Sequence, residues 1–275
     1  MPEGPEIRLE ADRIARVLEG ASIEEAWFAN ATLQQRARAL VGCRVSAVET
    51  RGKAMLTHFD NGQVLYTHNQ LYGRWFVRRR GELPKTARSL RVALHTARGS
   101  ALLYSASAIE LLDDAALGSH RFLARLGPDA LSPALDWRTL AARLDAPEFR
   151  GRALGSLYLD QRFLAGIGNY LRSEILFFAR LAPWRKPREL SRGERGRLAR
   201  CSLAVTQRAY RTRGVTNPPR RVAALKAAGA SRSRYRFAVF ARDGRPCYDC
   251  GTTIERVTMG SRRLYWCPAC QATPT

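Results

Sequence analysis

The chain has 275 residues, 45% of them hydrophobic, enough to bury a full core and to form two domains of ordinary size. A formal charge of +22 and a pI near 10.9 go beyond what solubility requires and point to a polyanionic partner. No run of about 18 apolar residues occurs and no basic-then-apolar leader opens the chain, so the sequence reads as a soluble intracellular protein without a membrane partner. The charge is unevenly placed: residues 150–275 hold 26 Lys and Arg against 7 Asp and Glu, whereas residues 1–149 hold 20 against 17. An excess spread over half a chain is not one amphipathic membrane-binding stripe, and nucleic acid is the partner it fits.

The opening MPEGPEIRLEADRI predicts a helix. Pro5 suits a first turn that needs no amide donor, and Glu3 and Glu6 favour the positive end of the helix dipole. Ile7, Ala11, Ile14, Val17 and Leu18 recur at helical spacing, and Gly20 supplies the stop. Residues 45–105 then alternate apolar and polar positions. AMLTHF and QVLYTH around Asn61-Gly62 read as one hairpin, and SLRVALHT and SALLYSAS around residues 97–99 as another. A β-sandwich over residues 1–120 with the first helix packed against it follows.

The Gly-Pro and Ser-Pro punctuation of residues 121–135 reads as a linker, after which the periods are helical. DWRTLAARL and SLYLDQRFL are short predicted helices. In AGIGNYLRSEILFFARL, Gly166 and Gly168 break one helix and Asn169 starts the next, so the glycines let backbone approach an anion at a helix N-terminus. A longer helix starts at Ser191, whose spacing to Glu194 is that of a capping box, and ends near Gly214. Residues 215–236 are basic and proline-broken and are expected as a long mobile loop that closes a helical domain over 136–236. There is no internal repeat and no low-complexity tract.

Residues 237–275 hold four of the six cysteines. Cys247, Cys250, Cys267 and Cys270 have the spacing C-x2-C-x16-C-x2-C, which fits one tetrahedral zinc ion on a β-ribbon; disulfides are the alternative for a secreted chain. Four thiolates leave no open position, so the zinc would be structural and would hold a ribbon too small to stabilise itself. Cys43 and Cys201 lack partners in spacing and are expected as small buried hydrophobes.

MPEGPE at the start, RGKAMLTHF at 51–59, HNQLYG at 68–73, LDQRFLAGIGNYLRSEILF at 159–177 and YWCPAC at the end of the ribbon resemble, together and in order, the formamidopyrimidine-DNA glycosylase and endonuclease VIII family of base-excision repair. MPEGPE, HNQLYG and YWCPAC point to the endonuclease VIII branch, which acts mainly on oxidised pyrimidines. The resemblance implies a multidomain α+β protein: an N-terminal β-sandwich flanked by helices, a helix–two-turns–helix domain, and a C-terminal zinc ribbon. It implies damaged DNA as partner and a bacterial-type cytoplasmic, nucleoid-associated location; the sequence gives no reason to expect an oligomer or an obligate protein partner, and a monomer is expected.

It also implies roles, residue by residue. With Met1 removed, Pro2 offers a secondary amine whose pKa of roughly 8 leaves part of it neutral near pH 7. Attack on the sugar C1′ gives an iminium that drives β,δ-elimination. Glu3 is the acid/base partner, Glu6 has a supporting role in hydrogen bonding near the reacting sugar, which a capping role would resemble in sequence, and Lys53 is the family's catalytic lysine at the phosphate or damaged nucleotide. Gly168 and Asn169 bind backbone phosphate, Arg262 of the ribbon grips the same region, and Arg263 beside it is less closely matched. Gln70, Leu71 and Tyr72 fill the space a flipped nucleotide vacates; on periodicity alone, Leu71 and Tyr72 read as strand core. One departure stands out. Segment 215–236 is longer and more basic than the branch suggests, which leaves oxidised purines open as the alternative substrate; a non-catalytic zinc-ribbon binder is the alternative from another class.

Overall fold

The computed structural model describes residues 2–272. It divides into two compact units, the first ending at Arg125 and the second beginning at Leu126.

In the first unit, helix α1 (Gly4–Leu18) precedes strand β1 (Glu25–Phe28) and the short helix α2 (Ala31–Ala37). Seven strands follow: β2 (Val45–Arg51), β3 (Ala54–Phe59), β4 (Val64–His68), β5 (Arg74–Arg78), β6 (Leu90–Thr96), β7 (Gly99–Tyr104) and β8 (Ala108–Leu112), and helix α3 (Asp114–Ser119) closes the run. The strands form two antiparallel four-stranded sheets, ordered β2-β3-β4-β8 and β1-β6-β7-β5. Alternation decides the faces. Met55, Phe59 and Leu65 of one sheet meet Trp75, Val92, Leu94 and Leu103 of the other in one core. Ile7, Ala11, Ile14 and Leu18 of α1 enter the same core, which is why the apolar stripe of the opening sequence had to be helical. The expected sandwich and both hairpins are present: His58 pairs with Val64, and Thr96 with Gly99.

The second unit packs α4 (Trp137–Leu144), α5 (Leu154–Leu157), α6 (Asn169–Phe178) and α7 (Arg192–Arg211) around Leu140, Leu157, Phe163, Leu171, Ile175 and Leu198. Ser191 Oγ accepts the Glu194 amide at 3.1 Å, and Glu194 accepts the Ser191 amide at 2.8 Å, so α7 opens with the predicted capping box. The ribbon of β9 (Glu255–Met259) and β10 (Arg262–Trp266) turns at Gly260-Ser261, with Met259 opposite Arg262.

Four sequence expectations change. Residues 127–135 are docked rather than free: Gly127 donates to Gln161 O at 2.9 Å, Ala130 donates to Ala165 O at 3.1 Å, and Ala130 and Leu135 are buried. A Cβ at Gly127 would lie 2.2 Å from Arg162 O, so this glycine marks a close backbone approach, not a flexible joint. SLYLDQRFL is helical only to Leu157. Beyond it, Asp160 accepts the Arg162 amide at 2.9 Å and the Arg152 guanidinium at 2.5 Å. Burial acts to raise this carboxyl, yet the bonds from Arg162 and Arg152 hold it well below the usual carboxylate range and fix a turn. Segment 215–236, expected as loop, holds two exposed helices, α8 (Pro219–Ala227) and α9 (Arg232–Tyr235). Pro219 sits in the first turn of α8, where proline starts a helix, and the alanine-rich run behind it has high helix propensity. Cys43 and Cys201 are partly exposed, not buried.

Candidate catalytic terminus and nucleic-acid interface

The N-terminal elements carry four of the predicted residues. Pro2 is half-exposed and directly precedes Glu3, which is the N-cap of α1 and only 2% exposed. The Glu3 side chain accepts the Glu6 amide while Glu6 Oε2 accepts the Glu3 amide at 3.1 Å, a reciprocal capping box. The crowded start is therefore a rigid one: Glu3 and Glu6 hold each other, and the residue just before them is placed by a helix end. Lys53 is buried in the two-residue turn Gly52-Lys53 between β2 and β3, whose flanking Arg51 and Ala54 are paired. Ala54 is itself opposite His68 on β4. Burial lowers the pKa of His68, and the charge of Lys53 lowers it further, so the two side chains share one electrostatic environment.

Just beyond His68 the chain leaves the sheet. Gln70 takes a left-handed φ of 49°, its amide donates to His68 Nδ1 at 3.0 Å, and its Oε1 accepts Ser107 Oγ at 2.6 Å. Leu71 and Tyr72 are 61% and 68% exposed, which overturns the strand-core reading of their periodicity. An apolar and an aromatic side chain held out in water at a tight turn are the uncommon case, since large exposed apolar groups side by side mark contact sites.

The second unit holds the residues expected to bind backbone phosphate. Gly168 caps α6, and Asn169 is its first residue. Gln161 shapes the turns before it: Nε2 donates to Leu159 O at 3.1 Å and to Ile167 O at 2.9 Å, while Oε1 accepts the Gly166 amide at 3.1 Å. Asn169 and Arg262 are joined by a residue the sequence reading passed over. Arg172 is 0% exposed; Nη2 donates to Asn169 Oδ1 at 2.8 Å and to the Arg262 and Arg263 carbonyls at 3.1 and 3.2 Å, and Nη1 donates to Gly155 O at 2.7 Å and Met259 O at 3.2 Å. An arginine only donates, so Oδ1 must face it and the Asn169 amide nitrogen must point elsewhere as a donor. The Arg262 and Arg263 side chains are exposed. The available signal was a charged pair, Arg172 and Glu174, inside an otherwise apolar helix. Buried Glu174 accepts the amides of Ala238, Val239 and Phe240 at 2.8, 2.8 and 2.9 Å and the Thr216 hydroxyl, pinning both ends of the α8–α9 segment.

Sγ atoms of Cys247, Cys250, Cys267 and Cys270 all lie within 4.8 Å of one another, the one such ligand cluster among the described residues. The 247–270 and 250–267 pairs are 3.9 and 3.4 Å apart, far from a disulfide and near the edge of about 3.8 Å that a zinc–thiolate tetrahedron needs. The Asp249 and Cys270 amides point at Cys247 and Cys267 sulfur at 3.4 and 3.5 Å. The donor set fits one structural zinc ion, held by these four residues.

Three family models cover most of the chain. The formamidopyrimidine-DNA glycosylase N-terminal domain matches residues 1–107, the formamidopyrimidine-DNA glycosylase H2TH domain residues 126–218, and the zinc finger found in FPG and IleRS residues 244–273. Endonuclease 8 of Escherichia coli is 48% identical over 271 residues, covering 98% of this chain and 100% of the relative, and that of Salmonella arizonae is 47% identical over the same span. Among solved structures, the fold is shared with Lactococcus lactis formamidopyrimidine-DNA glycosylase bound to abasic-site DNA (TM-score 0.79, 17% identity, 98% of this chain and 100% of that one). It is shared as well with MutM in complex with DNA containing carbocyclic 8-oxo-G (TM-score 0.80, 17% identity, 99% and 100%). Sheets, helical unit and ribbon thus agree with three successive family domains, and the chain belongs to the formamidopyrimidine-DNA glycosylase family, in its endonuclease 8 branch.

Proposed function

We propose that this chain is a bifunctional DNA glycosylase and AP lyase of base-excision repair that removes oxidised pyrimidines. The observation that carries the reading is near-half identity to endonuclease 8 over 98% of the chain, beside a helix in this chain that begins directly after the Pro2-Glu3 pair. Met1, whose removal the chemistry requires, lies outside the described residues. The freed Pro2 nitrogen attacks the sugar C1′ as the bond to the damaged base breaks, and Glu3 donates a proton as the ring opens. The resulting iminium needs no further proton to be cationic. It draws electrons from C2′, so that the 3′ phosphate leaves and then the 5′ phosphate, and water frees the sugar from the enzyme. Glu6 holds Glu3 through the capping box, and buried Lys53 meets the phosphate or nucleotide beside it.

In the same reading, Gly168, the Asn169 amide and the exposed Arg262 hold backbone phosphate, while Gln70, Leu71 and Tyr72 enter the stack left by the extruded nucleotide. Zinc bound by Cys247, Cys250, Cys267 and Cys270 keeps the ribbon folded and takes no part in the reaction. The enzyme acts as a monomer without an obligate protein partner, in a cytoplasmic, nucleoid-associated setting; among the described residues no helix is long and apolar enough to cross a membrane.

Borohydride trapping tests the chemistry. A covalent adduct with abasic-site DNA is expected for the processed protein and is expected to vanish when the amine is moved, as in Pro2→Gly preceded by one extra residue. An adduct of equal yield in that variant would overturn the assignment of Pro2. Excision of thymine glycol against 8-oxoguanine decides the branch: a strong preference for 8-oxoguanine would replace oxidised pyrimidines by oxidised purines.

A further inference from the structure

Helix α1 carries a carboxyl that the chemistry above leaves unused. Glu10 lies one turn beyond Glu6, half-buried where α1 packs beside β5. Its Oε2 accepts Asn69 Nδ2 at 2.6 Å, and Asn69 is its one hydrogen-bond partner among the described residues. Asn69 is 3% exposed and forms the base of the turn that presents Gln70, Leu71 and Tyr72. Its carbonyl accepts the Gly73 amide at 2.7 Å, and a Cβ on Gly73 would stand 2.6 Å from Asn69 Cα, so the turn closes tightly on this one residue. The base of the turn is therefore tied twice, once to itself and once to the helix that starts at Glu3.

We propose that Glu10 is a positioning residue: through Asn69 it locks the Gln70–Leu71–Tyr72 turn to the helix that directly follows the Pro2-Glu3 pair, so that insertion into duplex DNA and placement of the sugar occur in one register. The inference rests on reading that turn as the inserting element. A side chain that only filled space would not need a short hydrogen bond to a buried amide, and a turn anchored only to itself could swing against α1 when a base stack pushes on it.

The groups facing Glu10 are Asn69 at the turn, Arg74 on β5, and Arg13 and Glu6 on α1; Arg13, Arg74 and Arg78 share with Glu10 the lining of a 220 Å³ cavity. Burial pushes the carboxyl up to about 7, opposed by the Asn69 hydrogen bond, Arg74 and Arg13 and reinforced by Glu6. Above that pH, Asn69 binds a carboxylate; below it, a neutral acid that accepts about half as strongly. The lock therefore tightens as pH rises through neutrality.

The test compares kcat and KM on a lesion-bearing duplex with the same constants on single-stranded abasic-site DNA, which has no stack to fill. Glu10→Ala and Asn69→Ala are each expected to lower duplex kcat/KM about tenfold, to leave single-strand turnover within about twofold, and to be no worse when combined. Glu10→Gln keeps a neutral acceptor. It is expected to retain most duplex activity and to lose the rise in the duplex-to-single-strand ratio between pH 6 and 8. A folded Glu10→Ala protein with a wild-type ratio overturns the inference; should that variant not fold, a Glu10→Gln protein that keeps the wild-type pH rise overturns it instead. Alanine at Gln70, Leu71 and Tyr72 together separates the two readings. An unchanged ratio there sinks the inserting turn itself, whereas a reduced ratio there beside a wild-type ratio in Glu10→Ala sinks only the lock.

Discussion

Replacing Arg172 by methionine keeps most of the side-chain volume of a fully buried residue and removes the donors to five acceptors: Asn169 Oδ1 and the carbonyls of Gly155, Met259, Arg262 and Arg263. Each buried acceptor left without a donor costs about 1–3 kcal/mol, but the losses are not additive within one network. Removing the guanidinium also relieves the cost of burying its charge, which is several kcal/mol. The balance is a destabilisation of about 3 kcal/mol, or a fall in melting temperature of about 10 °C for a protein of this size. Function should suffer more than stability, because Arg172 orients the Asn169 amide and holds the backbone of Arg262 in the same grip. Affinity for an abasic-site duplex should fall about 10- to 100-fold at fixed salt. Arg172→Lys should fall between, since an ammonium cannot span a fork of carbonyls on three elements. Calorimetry and fluorescence anisotropy measure the two quantities, with zinc content as the control. An Arg172→Met protein that melts and binds like wild type would show that the buried fork neither supports the ribbon nor sets the anion site.

Stripping the metal with a strong chelator should release one zinc per chain and abolish DNA binding, and added zinc should restore it; binding that survives complete zinc loss would contradict a structural role. Alanine at Leu71 or Tyr72 should leave stability within about 0.5 kcal/mol because both side chains are already in water, yet lower excision from duplexes at least tenfold. Glu10 gives a pH-dependent effect on stability. Its folded pKa of about 7 lies above the ordinary 4.5, so the stability it contributes is complete below about pH 4.5 and is lost as pH rises through 7. Allowing for water at this half-buried carboxyl, Glu10→Gln should gain about 1–2 kcal/mol over wild type at pH 8 and nearly nothing at pH 4, by denaturant titration at both; an equal gain at both pH values would refute the burial argument.

Local rules were enough for part of this molecule. The 3.6 period of Ile7, Ala11, Ile14 and Leu18 had one way to bury its stripe, alternation about Asn61-Gly62 had one way to form a hairpin, and Ser191 and Glu194 cap their helix within four residues. Four cysteines at fixed spacing left little choice for the ribbon, and their sulfurs converge. The tertiary structure decided what depends on partners distant in sequence. Leu71 and Tyr72 share the periodicity of a strand but are exposed because Asn69 and Gly73 close the chain into a turn. Gly127 resembles a hinge in sequence and is a packing contact, since only the approach of Arg162 O, 35 positions on, makes a side chain impossible there. The proline pair at 218–219 looked like a break; pinned at its ends by Glu174, the segment behind it folds as helix. Arg172 shows the limit most plainly. A charged residue in an apolar helix announces that some acceptor must meet it, but which ribbon carbonyls do so, 87 to 91 positions away, is fixed only when the ribbon folds back onto α6.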